Sequence, residues 1–369
     1  MKITDLTITV FTWDGLVPLR YSRHVASSKP SCQLGLLQVH TDEGPVGRAF
    51  IGSPTSPAEF DVQRLIDVLK PIVMGQDPLQ RERLGRLMWG RVRAASVRTV
   101  GAVDTALWDI AGQAAGLPIH ALIGGYRRSL PAYASSPARD DIASYCEEAL
   151  HWKSRGVTAY KIHAPHPWRQ DIAVCEAVRR AVGDDHVLML DASWSYDYPT
   201  ALRVGRALEA LKFHWFEDPL GEWSIPSYVK LRQKLDVPLM ATELPFAGFD
   251  TYAPWLMAQA TDFLRGDVAF KGGITTMLKT AHLAEGFGMN YEIHHGSNSL
   301  NNVANLHVAA AIHNCEYFEV LLPDANNKHG LVQDLEIDGQ GQVHVPDGPG
   351  LGVEVDMDRV RRQQVAVLR

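Results

Sequence analysis

Three carboxylates stand at the ends of short apolar runs. Asp191 closes Leu188-Met189-Leu190-Asp191, Glu217 falls in Trp215-Phe216-Glu217-Asp218, and Glu243 closes Leu239-Met240-Ala241-Thr242-Glu243. Their intervals are equal, 217 − 191 = 26 and 243 − 217 = 26. An ionised acid at the tip of a buried strand is costly unless a positive charge compensates it. Three that converge are compensated most simply by one divalent cation, and all-oxygen ligation suits Mg²⁺, or Mn²⁺, rather than zinc. Any one of these acids alone reads first as an ion pair or a helix cap. Recurrence once per structural unit is what singles out the trio.

Other polar residues follow the same interval. Lys161 and His163 are two apart in an apolar run, so on a strand they project from one face. Asp267 and His294 are separated by 294 − 267 = 27 residues, again one unit, which lets a carboxylate orient an imidazole from the adjacent strand. Glu319, in Tyr317-Phe318-Glu319-Val320, is expected to have a raised pKa if its surroundings are apolar, and then to donate a hydrogen bond as a neutral acid. Near the N-terminus, Arg20-Tyr21-Ser22-Arg23-His24 forms a cationic loop, which reads equally as a solvated turn.

The elements that must position these residues are legible from periodicity. A βα unit takes roughly 25 to 30 residues, so the interval places the acids at one end of consecutive parallel strands, the end where barrels carry chemistry. Candidate strands end near Ser135, His163, Asp191, Glu217, Glu243, Asp267, His294 and Glu319. Helical spacing lies between them, for example Ala201, Val204, Leu208 and Leu211, although the eighth helix looks truncated. The predicted fold is α/β, a modified (β/α)₈ TIM-like barrel over residues 126–325. An α+β capping domain over 1–125 precedes it, with alternating strands at Ile3–Phe11 and 33–40 and helical spacing at Val62, Leu65, Ile66 and Leu69. The tail, 326–369, alternates again and is expected to return to the capping domain.

Composition narrows the function. Hydrophobic residues make up 46% of 369, enough for a full core, and a net charge of −6 gives no basic footprint for nucleic acid. Cys32, Cys146, Cys175 and Cys315 are scattered without a CxxC pair, which suggests neither a zinc knuckle nor a disulfide scaffold. No stretch reaches the ~18 apolar residues of a membrane span, and the first ten residues alternate like a strand rather than forming a signal peptide. These features predict a cytoplasmic small-molecule enzyme, and barrels of this size commonly form symmetric homo-oligomers.

The residues together resemble the enolase superfamily, in particular its mandelate racemase subgroup. Ala102-Val103-Asp104-Thr105-Ala106-Leu107-Trp108-Asp109-Ile110 is similar to the family's capping-domain helix. Asp191, Trp215-Phe216-Glu217-Asp218-Pro219 and Thr242-Glu243 match its metal positions. Asp267 with Gly272-Gly273-Ile274-Thr275 matches the sixth-strand motif, and Pro349-Gly350-Leu351-Gly352-Val353-Glu354-Val355 the closing one. The resemblance implies that the metal and Lys161 hold a substrate carboxylate and stabilise an enediolate. It makes His294, oriented by Asp267, a general base, and Glu319 a hydrogen-bonding partner of the carboxylate. Two departures stand out: His163 where many relatives carry a second lysine, and Ser193 where an Asn is common. The first argues against lactonising and dipeptide-epimerising activities. His295 adjoins His294 and competes with it for the site, although counting from Gly288 favours His294.

The resulting expectation is an acid-sugar (aldonate or aldarate) dehydratase giving a 2-keto-3-deoxy acid, its small-molecule carboxylate substrate met by Arg20, Tyr21, Arg23, His24, Trp194 and the loop at 51–55. The alternative is a racemase or epimerase of a 2-hydroxy acid, with His163 or Lys161 opposing His294. A metal-dependent barrel hydrolase fits less well, since Pro131-Ala132-Tyr133-Ala134-Ser135 lacks a His-x-His pair.

Overall fold

Residues 1–24, 27–163, 166–243 and 248–369 are described by a computed structural model. In β1 (Ile3–Asp14), Leu6, Ile8 and Val10 are buried while Thr7 and Thr9 between them are half-buried, the period-2 pattern of a strand with one face on a core. β1 pairs antiparallel with β2 (Ser31–Thr41), and β2 with β3 (Val46–Ile51). Against this sheet pack Val62, Leu65, Ile66 and Leu69, though not as one regular helix. A π-turn at Leu65–Leu69 separates α-turns at Val62–Arg64 and Lys70–Val73. Pro71 accounts for it: proline has no N–H to return to the preceding turn, and the Lys70 N–H reaches back to the Leu65 carbonyl instead.

The long helix Val97–Ala115 starts at a reciprocal cap between Ser96 and Thr99 and stops at Gly116, whose φ of 67° favours glycine. It joins the cap to the barrel. Asp104 Oδ1 accepts from Thr275 Oγ1 (2.6 Å) and Oδ2 from the Thr275 N–H (2.9 Å), and Trp108 Nε1 donates to Thr275 Oγ1 (2.9 Å). Asp109 accepts the N–H groups of Arg48 and Leu351, both at 2.9 Å. Three motifs distant in sequence therefore meet in one junction. Glycine is required there, because a Cβ at Gly101 would lie 2.3 Å from the Val268 carbonyl oxygen.

Eight parallel strands form the barrel: β4 (Ser129–Ser135), β5 (Ala159–His163), β6 (Val187–Asp191), β7 (Trp215–Glu217), β8 (Leu239–Ala241), β9 (Phe263–Gly266), β10 (Asn290–Ile293) and β11 (Phe318–Leu321). Each pairs with the next as far as β10, and β11 returns to β4, leaving a seam between β10 and β11 among the described residues. Directly after β11 a 3₁₀ turn, Asp324–Asn327, stands where the eighth barrel helix would, so that helix is truncated. The tail then adds β12 (Gln342–His344) antiparallel to β4 and β13 (Gln364–Leu368) to β1.

Strand period also stratifies the barrel interior. Met189 and Trp215 lie two residues before Asp191 and Glu217, on the same face and one layer lower. With Tyr133, Ala159 and Met240 they form a buried apolar plug. Each large side chain so buried contributes about 1.5–3 kcal/mol. The plug closes the floor beneath the polar layer.

Candidate active site

Register sets two of the three acids abreast. His163 is the cross-strand neighbour of Asp191, and Asp191 of Glu217, so neighbouring side chains start about 4.8 Å apart. Glu243 lies two residues beyond β8 and is brought back by Thr242, whose φ is 87°. Ser193, Trp194 and Asp218, next to the other acids, also have left-handed backbones, with φ of 42°, 61° and 42°. Non-glycine residues in this region cost of order 1–3 kcal/mol each and concentrate at functional sites. The result is one ligand oxygen from each of Asp191, Glu217 and Glu243 within 4.8 Å of one another. Ser193 orients the first of them, its N–H and Oγ donating to Asp191 Oδ1 at 2.8 and 3.0 Å.

Two fully buried cations thread this cluster. Lys161 Nζ lies 3.3 Å from Asp191, 3.2 Å from Glu217 and 2.8 Å from Glu319. Arg265 Nε lies 2.5 Å from Glu217 Oε1 and 3.7 Å from Glu243 Oε2, and its Nη2 lies 2.5 Å from Glu319 Oε2. Asp191, Glu217, Glu243 and Glu319 outnumber these two cations, and Lys271, a third buried cation, is shared among Glu222, Asp267, Glu243 and Asp218, so acids are in excess. Burial, together with the neighbouring acids, pushes the Glu217 and Glu243 carboxyls up, against the pull of Arg265 and Lys161. An all-carboxylate donor set that is short of positive charge fits a hard divalent cation. His294, His295 and Glu319 form a second compact group, but Glu319 is already committed to Arg265 and Lys161.

Glu319 corrects one expectation. It is the second residue of β11, not its end, and its surroundings are cationic rather than apolar. Burial pushes its carboxyl up, but Arg265 and Lys161 outweigh this and hold it well below the usual carboxylate range. Glu319 is thus an ionised acceptor, taking the His295 N–H at 3.0 Å, and not a neutral donor. Conversely, burial and Arg265 favour a neutral Lys161, but Glu217 and Glu319 prevail and keep it protonated.

Histidines flank the acids from both sides. His294 Nδ1 is 2.8 Å from Asp267 Oδ2, whose partner oxygen Oδ1 accepts the Ala269 and Phe270 N–H groups. Burial and then Arg265 push His294 well below the ordinary imidazole range. A neutral ring donating from Nδ1 to Asp267 turns an Nε2 lone pair inward, 3.3 Å from Glu243 Oε1. Across the trio, His163 Nδ1 donates to the Ser136 carbonyl at 2.6 Å and Nε2 lies 3.2 Å from Asp191 Oδ2. His295 also lines the cavity, its Nδ1 accepting the Ser297 N–H at 3.1 Å, but the carboxylate partner belongs to His294.

The acids and histidines open into a cavity of about 300 Å³ roofed by the capping domain. Tyr21, His24 and Trp194 line it: Tyr21 sits edge-on to His163, with ring centroids 5.2 Å apart, and His24 Nε2 donates to the Trp194 carbonyl at 3.3 Å. Arg20 and Arg23 do not. Arg20 is exposed outside the lining, and Arg23 turns to the His166 carbonyl and the Tyr196 ring.

Two participants escape the sequence reading. Arg265 stands two residues before Asp267, and the same-face rule that paired Lys161 with His163 would have found it. Asp218, buried at the cavity wall, has an Oδ1 with no hydrogen-bond partner among the described residues. Burial, then Glu222 and Glu243, push its carboxyl well up.

Comparison with known proteins agrees with this geometry. The mandelate racemase / muconate lactonizing enzyme N-terminal domain model matches residues 4–124, and the enolase C-terminal domain-like model matches 144–359. The arabinonate dehydratase of Saccharolobus solfataricus is 30% identical over 86% of this chain and 87% of its own. The D-galactarolactone cycloisomerase of Agrobacterium fabrum is 28% identical over 88% and 89%. A crystal structure of D-glucarate dehydratase from Agrobacterium tumefaciens, complexed with magnesium, superposes with a TM-score of 0.89 at 35% identity, covering 99% of this chain and 100% of that one. The chain belongs to the mandelate racemase / muconate lactonizing enzyme family of the enolase superfamily.

Proposed function

We propose that the protein is a Mg²⁺-dependent dehydratase of sugar acids. The observation that carries this reading is the Asp267–His294 dyad at 2.8 Å with its Nε2 turned onto the carboxylate trio. The dehydratases among the relatives, one of them complexed with magnesium, support it. Asp191, Glu217 and Glu243 would hold Mg²⁺, which supplies positive charge opposite the substrate carboxylate as the α-carbon loses its proton.

The protein's own groups account for the rest. Lys161, kept protonated among its acids, adds a second positive charge at the carboxylate end, an electrostatic stabilisation placed where negative charge develops. His294 Nε2 takes the α-proton, and Asp267 holds the ring in the tautomer that can accept it. The electron pair of the C–H bond becomes the Cα–Cβ double bond as the β-hydroxyl leaves with a proton from imidazolium, releasing water. The enol that remains tautomerises to a 2-keto-3-deoxy acid. Glu319, which also lines the cavity, positions Lys161 and the His295 backbone.

His163, facing the trio from the opposite side, favours a second reading in which it reprotonates the α-carbon and the outcome is racemisation or epimerisation. Incubation of sugar acids with Mg²⁺ in D₂O separates the two. We expect 2-keto acid to form. Solvent deuterium at Cα without keto acid would replace dehydration by racemisation or epimerisation, and neither signal would overturn both.

A further inference from the structure

We infer that the substrate is a singly charged acid with a neutral, hydroxylated far end, an aldonate-type monocarboxylate as opposed to a dicarboxylic aldarate. This rests on the dehydratase reading and names its substrate class. The relatives divide on this point: arabinonate carries one carboxylate and D-glucarate two. Family membership does not choose between them, whereas the cavity does.

Among the described residues the buried cations of the site, Lys161, Arg265 and Lys271, face its acids and none of them lines the cavity, the charges on Lys271 being those of Glu222, Asp267, Glu243 and Asp218. Lys161 and Arg265 are fully buried below the trio and already bonded to carboxylates. Among the described residues no lysine or arginine side chain lines the cavity. The segments outside the description, 25–26, 164–165 and 244–247, contain only Val, Ala, Pro, Leu and Phe in sequence. Of the two arginines of the capping loop, Arg20 is exposed outside the lining and Arg23 is directed to the His166 carbonyl, the Tyr196 ring and Asp171.

The far wall is neutral where a second carboxylate would sit. Leu19, Thr55, Ser56 and Leu321 offer hydroxyl and apolar surface there, and the Asn326 and Asn327 amides in the lining donate to the Val17 and Leu321 carbonyls. His24, on the same loop, spends its Nε2 hydrogen on the Trp194 carbonyl. Asp218 adds a buried side chain to the lining, with an unpartnered Oδ1 placed to accept from a substrate hydroxyl. A carboxylate moved from water into such surroundings loses its hydration and gains no charge-assisted bond, whereas a hydroxyl finds matching partners. The volume of about 300 Å³ is at the small end for ligand sites, as a five- or six-carbon acid requires.

Pairs that share their internal stereocentres test this directly: D-gluconate against D-glucarate, and D-galactonate against galactarate, each with Mg²⁺ and each read by 2-keto acid and by deuterium incorporation. At least one aldonate should turn over with kcat/KM 100-fold or more above its matched aldarate. Thr55→Arg, which places a cation in the far wall, should narrow that ratio at least tenfold, and since the ratio is internal to one protein it is insensitive to partial unfolding. In the His294→Asn protein, which does not consume substrate, the aldonate with Mg²⁺ should raise the melting temperature more than its aldarate. An aldarate processed as well as its aldonate, or a ratio that Thr55→Arg leaves unmoved, overturns the inference and leaves the dehydratase reading standing. No keto acid and no exchange from either class overturns both.

Discussion

His307 gives a prediction whose size follows from the structure. The ring is fully buried in the helix Ser299–Ala311. Its Nδ1 accepts the His120 N–H at 3.2 Å and its Nε2 donates to the Leu351 carbonyl at 3.0 Å. Both nitrogens are satisfied only in the neutral tautomer, since a proton on Nδ1 would displace the His120 bond. Burial pushes the imidazole down to about 4, even though the Leu351 carbonyl favours the charged form. An unfolded histidine titrates near 6.5, so below that value the unfolded chain binds a proton that the native ring refuses, and stability falls as pH falls from about 6.5 toward 4. Linkage between those two pKa values makes the loss about 2 kcal/mol at pH 5 and about 3 kcal/mol at pH 4. His307→Gln supplies a donor and an acceptor without a titrating group. Urea unfolding at pH 7.5 and pH 5.0, with chelator to remove metal binding, should show the parent protein losing about 2 kcal/mol more than the variant. Equal losses would mean that the ring is accessible to protons in the native state and would refute the packing argument.

The remaining predictions concern the site and the junction. His294→Asn should lower dehydration by 10²–10⁴-fold while calorimetry finds Mg²⁺ affinity nearly unchanged, and retained turnover would transfer the base role to His295 or His163. Glu217→Gln removes one negative charge from the acid-rich cluster and releases Arg265 Nε, so Mg²⁺ affinity should drop at least tenfold in the same titration, and an unchanged affinity would count against the trio. Gly101→Ala forces a Cβ to within 2.3 Å of the Val268 carbonyl and should cost about 1–3 kcal/mol or more in denaturant unfolding, with no effect if the junction yields freely.

Residues on regular strands were the most legible in the sequence. Asp191, Glu217, Lys161 and His163 are placed by a period of two and a repeat of one βα unit, both properties of local sequence. Arg265 was not legible by the same route, because an arginine in an apolar run is tolerated inside only when distant acids neutralise it. Those acids, Glu217, Glu243 and Glu319, come from three other strands. Missing Arg265 also inverted the expected charge state of Glu319. The capping loop was legible as polar but not as to direction: Tyr21 and His24 enter the cavity while Arg20 and Arg23 do not, and no periodicity governs a loop.

The junction around Thr275 bears on how such an enzyme diversifies. Helix Val97–Ala115 meets the barrel backbone to backbone, with glycines where side chains would otherwise keep them apart. A roof fixed so closely cannot drift over the strand ends, so the loop at 19–24 works as an interchangeable tool head on a rigid arm. Its residues can be rewritten by mutation to admit a new acid while the proton-transfer groups below, carried on separate strands, keep their alignment. Exchange of the whole cap between relatives is a harder operation. The graft must bring Gly101 and Asp104 and meet Gly273 and Thr275, or the two halves will not register. Inheritance in this protein is therefore expected to be piecemeal in the loop and all-or-nothing at the weld.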